Sequence, residues 1–281
     1  MGFFCIKNLM KNVYELLRKQ NPETVWQSTY PHSEQLKIKK EGLGRLQRET
    51  NLAHLKETFR VGIAPRFSPE EQTFLMNTYD LAMELHKGQP PRRTGASVGT
   101  HLARVAISNL RDDHVSLENT AVRLLHDSIE DGTITAQELT NRLTALTYSQ
   151  AQASMIVDGV TAMSMRQNNI DLLPEAYEAG LIRMDQQHPE LYLLEIKADD
   201  RADNVNDDSV SLLKQHILRR NRPDYRHIVA YLTGKAARAV ALTESLGDNP
   251  SRTRLLAAID TCHQFLREKQ PSSVPTLQQA S

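Results

Sequence analysis

Apolar residues along this chain recur every three to four positions and almost nowhere at every second one. Residues 7–19 place Leu9, Met10, Val13, Leu16 and Leu17 on one stripe, ringed by Lys7, Lys11, Arg18 and Lys19. This is amphipathic-helix spacing. The stripe is short and without flanking tryptophans, so it reads as a helix docked on its own domain rather than one lying on a membrane. A second helical stretch covers about 43–60, with Leu43, Leu46, Leu52, Leu55 and Phe59, and Gly62-Ile-Ala-Pro65 breaks it. Ser68-Pro-Glu-Glu71 supplies an N-cap, a proline at the first helical position and acids in the first turn. A helix to about His86 follows from it. Further helices are predicted at about 101–111, 116–131, 135–146, 149–160, 174–186, 189–205, 210–219, 224–245 and 251–268. Strict Val/Ile/Thr alternation is absent, so the fold class is all-α. The tail Gln270–Ser281, with two prolines and four Ser/Thr, is predicted to be disordered.

Length and charge narrow the partners. A chain of 281 residues fits one large domain with an extension. The predicted partition is a helical extension over 1–65, a main domain over 66–245, and a terminal helix and tail over 246–281. Lys plus Arg and Asp plus Glu balance at 34 each, so no overall field draws the chain to nucleic acid or an anionic membrane, and any phosphate binding is local. Cys5 and Cys262 sit near opposite ends, which excludes a disulfide framework and a zinc–cysteine site. A reducing cytoplasm is the expected compartment, since no apolar run reaches the ~20 residues of a membrane span and the start is not a signal peptide.

The chemistry concentrates in Leu124-Leu-His-Asp-Ser-Ile-Glu-Asp131. On a helix at about 100° per residue, His126, Asp127, Glu130 and Asp131 share one arc, opposite Ala121, Val122, Leu125 and Ile129. An imidazole beside a carboxylate suits a divalent metal, and a second acidic pair one turn on suits holding and deprotonating water. A solvated acidic helix end carrying one histidine is the alternative, which distant ligands decide. Arg92-Arg-Thr-Gly-Ala-Ser-Val-Gly-Thr-His101 is a polar loop ending in a histidine. Leu193-Leu-Glu-Ile-Lys-Ala-Asp-Asp-Arg-Ala-Asp-Asn204 carries Asp200 and Asn204 one turn apart. Together these segments offer two nitrogens and two carboxylates, enough for one Mn²⁺-like ion with positions left for water and substrate. Arg104 and His114 read as surface residues.

In order and spacing, His101, His126-Asp127 and Asp200 resemble the HD phosphohydrolase superfamily. The details are similar to the (p)ppGpp hydrolase domain of RelA/SpoT-type proteins. Arg92-Arg-Thr-Gly keeps that family's nine-residue step to the histidine, and His126-Asp-Ser-Ile-Glu-Asp131, Val157-Asp-Gly-Val-Thr161 and Lys197-Ala-Asp-Asp-Arg-Ala-Asp-Asn204 follow in family order. The likeness covers roughly 70–206 and, more loosely, the helices to about 245. It implies an HD-domain helical bundle with His101, His126, Asp127 and Asp200 as ligands of Mn²⁺. Glu130 and Asp131 would act on the attacking water. Arg92 is implied at a guanine face and Arg93 near sugar-phosphate. Lys197, Arg201 and Asn204 are implied around the same nucleotide, with Tyr231 matching a tyrosine near the base. Asp199 leaves a one-residue ambiguity that the Asp-Arg-x-x-Asn register resolves toward Asp200.

Three departures fall on the nucleotide side. Ala96-Ser-Val98 stands where the family has Glu-Pro-Tyr, Leu102 replaces a proline, and Ala162 replaces a lysine. The implied activity is Mn²⁺-dependent removal of the 3′-pyrophosphate of (p)ppGpp, with the guanosine alarmone as the small-molecule partner. Two alternatives stand beside it: hydrolysis of another nucleotide phosphate, such as the 2′-phosphate of NADPH, and a non-catalytic alarmone-binding module. Self-association and a protein partner for residues 1–65 stay open.

Overall fold

The computed structural model describes residues 52–92, 96–110, 112, 114–167, 170–218, 234 and 237–268. The helix expected at 7–19 and residues 224–233 of the one expected at 224–245, together with Arg93, Tyr231 and the tail 270–281, lie outside the described residues. What is described is an all-α helical bundle.

α1 (Leu52–Ile63) and α2 (Pro69–Leu85) are joined by the expected break. Ser68 accepts from the Glu71 N–H and the Glu71 carboxylate accepts from the Ser68 N–H, a reciprocal cap with Pro69 just inside it. α3 (Val98–Ser108) and α4 (Leu117–Leu125) follow, capped by Ser97 and Ser116. α5 (Ala136–Ala145) and α6 (Gln150–Met163) lead to a two-residue antiparallel ladder, β1 (Arg166–Gln167) with β2 (Ile170–Asp171). α7 (Pro174–Gln187) and one 3₁₀ turn (Pro189–Leu191) precede α8 (Leu193–Leu218), which runs unbroken where two separate helices were expected. α9 (Pro250–Glu268) closes the described chain.

α4 lies at the centre, against α2, α3 and α6, while α8 packs on α3 and α7 on one side and α9 on the other. The main core joins Phe59, Leu75, Leu102, Leu125, Ile156 and Leu193, all fully or nearly fully buried. The described part of the extension is therefore core: Leu55, Phe59 and Ile63 of α1 belong to that cluster. A smaller cluster of Ala198, Ala202, Val205, Leu255 and Ala258 seats α9 on the back of α8. Gly159 lets α6 approach α4, since a Cβ there would lie 2.9 Å from Val122 Cγ2. Among the described residues no helix is long and apolar enough to cross a membrane.

Candidate metal centre

One expectation fails at the start of the site. The helix predicted over 116–131 ends at Leu125, and His126 is its C-cap residue. Residues 126–132 form successive turns, with Asp131 N–H donating to the Asp127 carbonyl and Gly132 N–H to that of Ile129. Gly132 closes the run at φ +67°, a backbone state glycine adopts without steric cost. The quartet is thus spread over a turn, and its members do not share a helix face.

The distant ligands nevertheless converge. His101 lies in α3, Asp200 in α8, and His126 and Asp127 directly follow α4. The two imidazole Nε2 atoms are 3.2 Å apart. Asp200 Oδ1 is 3.4 Å from His101 Nε2 and 3.8 Å from His126 Nε2. Asp127 reaches the same nitrogens at 3.5 Å and 3.2 Å. A buried group of His101, His126 and Asp200 is thus arranged so that it can hold a metal ion. An ion about 2.1 Å from each atom would meet these separations at angles of about 100–130°, ordinary for N/O ligands.

The surrounding hydrogen bonds prepare the nitrogens for a cation. His126 Nδ1 lies 2.9 Å from the Arg123 carbonyl. A carbonyl can only accept, so Nδ1 carries the proton and Nε2 presents its lone pair. His101 Nδ1 is 2.8 Å from Asp203 Oδ2, the carboxylate–histidine pairing typical of metal-bound imidazoles. Arg104 holds Asp203 through two bonds of 2.7 and 2.8 Å and reaches Asp207 at 3.0 Å. The Asn204 amide donates to Asp200 Oδ1 at 2.5 Å, and Lys197 Nζ is 3.0 Å from Asp200 Oδ2. Burial and Arg92 push the His101 imidazole down, but hydrogen bonds to Asp127, Asp200 and Asp203 outweigh them and raise it to about 10. Burial pushes the Asp200 carboxyl up, yet Lys197, Arg201 and the two histidines hold it well below the usual range. Both shifts say that the cluster favours positive charge at its centre.

Asp199 faces the other way, accepting from Arg123, Arg254 and Ser251. The one-residue ambiguity is settled by that geometry. Glu130 accepts from the Met165 N–H at 3.0 Å, and its carboxylate lies in the field of Arg201, which also faces Asp127 and Asp200. Asp131 sits further out, bonded to Gln89 at 3.2 Å and facing buried His86 at 3.4 Å.

Arg92 and Asn204 are brought together: Arg92 donates to Asn204 Oδ1 at 2.5 Å and to Asp207 at 2.8 Å. Lys197 and Arg201 line a recess of about 90 Å³ with Tyr177 and Arg238. Lys197 Nζ stands 5.2 Å over the Tyr177 ring, within cation–π range. Asp158 and Thr161 of the Val157–Thr161 block line a separate groove of about 450 Å³ between α6 and α7.

Arg104 is a correction. Read as a surface residue, it is only 11 % exposed and clamps Asp203. A signal existed in the sequence, since Asp200, Asp203 and Asp207 are three and four apart on one helix and an acidic stripe beside buried histidines calls for cations. Arg238 and Tyr177 carried no such signal. His114 is exposed as expected, stacked on Tyr192. The chain matches no protein-family model and no curated protein.

Proposed function

We propose that this protein is an HD-type, Mn²⁺-dependent phosphohydrolase acting on the 3′-pyrophosphate of (p)ppGpp, giving GDP or GTP and pyrophosphate. The observation that carries the reading is the convergence of His101, His126, Asp127 and Asp200 from three separate segments, in the order the motif resemblance implies. Mixed imidazole and carboxylate donors suit Mn²⁺. A divalent ion bound there supplies Lewis-acid charge at the phosphoryl group. Lys197, Arg201 and Arg238 around the neighbouring recess suit a substrate with more than one phosphate, because each cation offsets charge the ion does not reach. Glu130, on the Arg201 side of the cluster, accepts the proton of the attacking water. Asp131 is tied to Gln89 and His86 and fixes the turn that carries Glu130.

One observation favours a second substrate. The Arg92 guanidinium is occupied by Asp207 and Asn204, and the Arg92 N–H donates to the Ala96 carbonyl. Stacking on guanine requires Arg92 to leave those partners, whereas a nucleotide held only by its phosphates does not. The test is product separation after incubation with ppGpp, pppGpp and NADPH, with and without Mn²⁺. Pyrophosphate release from the guanosine substrates supports the first reading. Loss of only the NADPH 2′-phosphate supports the second, and no Mn²⁺-dependent product from any of the three removes both.

A further inference from the structure

Among the described residues Arg123 is the largest fully buried side chain, and it stands in the otherwise apolar last turn of α4. Its Nη1 donates to Asp199 Oδ2 at 2.6 Å and to the Val105 carbonyl at 3.3 Å, and its Nε donates to Asn119 at 3.1 Å. Both members of the ion pair are sealed from water, at 0 % and 1 % side-chain exposure. A sealed pair of this kind is rarely better for stability than apolar residues of the same size, because desolvation offsets the attraction. Its position suggests a different use. The Arg123 carbonyl fixes the His126 tautomer, and the guanidinium grips the residue next to Asp200.

We propose that Arg123 is a positioning residue that ties the His126 and Asp200 segments of the metal centre to each other. Its backbone orients one ligand directly, and its side chain sets the rotation of α8 that presents the other. Val105 adds a third tie, to α3, one turn after His101. Asp199 also receives Arg254 through bonds of 2.6 and 2.9 Å, and Arg254 reaches Asp112. Those contacts anchor α9 to α8 and to the connection between α3 and α4, and they make no bond to α4 or to the turn that carries His126. The inference rests on the metal reading of the cluster and on no particular substrate.

The experiment compares wild type, Arg123→Met, Arg123→Lys, Arg123→Gln and Arg254→Met by Mn²⁺ titration, the absorption spectrum of the Co²⁺-loaded protein, and thermal unfolding of the metal-stripped chain. Arg123→Met should weaken Mn²⁺ by about 10–100-fold and alter the Co²⁺ spectrum, the range seen when the support of a metal ligand is removed. Arg123→Lys keeps a cation on Asp199 and should recover part of that loss. Arg254→Met should lower the unfolding midpoint comparably while changing Mn²⁺ affinity less than about threefold, because it removes ion pairs of α9 but no bond to the segment that carries His126. Should Arg123→Met not fold, Arg123→Gln decides, since its shorter amide can still bond Asn119 but not Asp199, and wild-type affinity and spectrum in that variant overturn the proposal. Equal metal loss in Arg123→Met and Arg254→Met also overturns it, by reducing Arg123 to general stability. A wild-type protein that takes up neither ion overturns the metal centre and this inference with it, whereas tight binding without hydrolysis leaves it standing.

Discussion

His101, His126 and Asp200 are each held by residues outside the cluster. His101 is the clearest case, because Asp203 fixes its ring and Arg104 fixes Asp203. Replacing Asp203 with Asn keeps the shape and removes the charge, so Mn²⁺ affinity should drop about 10–100-fold by calorimetric titration. Unchanged affinity would mean that His101 orients itself. The water chemistry is separable from this. Glu130 and Asp131 make their bonds to Met165 and to Gln89 and His86, so Glu130→Gln with Asp131→Asn should leave metal and nucleotide binding intact. Hydrolysis should fall by at least ~10²-fold, the scale of a lost general base; loss of metal instead would make them ligands. Away from the site, burial pushes the His54 imidazole down from 6.5 to about 4. Its folded form is held neutral, so its contribution is complete above the unfolded pKa and is lost as pH falls toward the folded one. Between those values the unfolded chain binds more protons, at a cost of about 3 kcal/mol in all. The stability of wild type minus that of His54→Leu should therefore fall by roughly 2 kcal/mol between pH 7 and pH 5 in denaturant melts. A gap that does not move would show His54 protonated in the fold.

At the scale of elements, the sequence announces starts better than ends. Ser68-Pro-Glu-Glu71 begins α2 as expected because the cap is written in adjacent residues, and each half of it forms. The end of α4 is written differently. Leu117–Leu125 is apolar-periodic, and Ile129 continues that period, so the pattern runs on while the backbone stops at His126. What stops it is tertiary: the His126 and Asp127 side chains turn toward His101, and Glu130 toward the Met165 backbone. A continuous α8 over 193–218 was equally hidden, because Asn206-Asp-Asp-Ser209 looks like a polar break until Arg92 and Arg104 are placed against Asp207. The Val157-Asp-Gly-Val-Thr161 block has a reading by packing alone. Gly159 is the point where α6 meets Val122 of α4 and Leu191. Gly159→Ala should cost about 1–3 kcal/mol, the usual penalty of overpacking a tight contact. Since α4 leads directly into His126, the variant should also loosen metal binding. A variant with wild-type melting would show that the helices can part without cost.

For the whole molecule, the all-α class was legible because the 3.6-residue period governs every long segment. The grouping of His101, His126 and Asp200 was legible because each stands in a polar motif of its own. The ring of supports was not, since Arg104 to Asp203 and Arg123 to Asp199 span 99 and 76 residues and no local rule pairs them. The grouping also bears on stability. Two imidazoles and two carboxylates drawn from three segments, each carboxylate within 3.8 Å of both imidazoles, bring together acceptors that are far apart in an unfolded chain. An ion that binds only the folded form therefore stabilises it by mass action, by about 2.7 kcal/mol at a hundredfold excess over Kd. For a domain of this size, that raises the melting temperature by about 5–10 °C. Mn²⁺ added to chelator-treated protein should produce this rise, and Mg²⁺, which favours all-oxygen sites, should produce less. His126→Ala should abolish the rise while keeping a cooperative melt, because the substitution removes a donor and leaves the apolar core of α4 intact. A rise that persists in His126→Ala would place the ion elsewhere on the chain, and with it the chemistry.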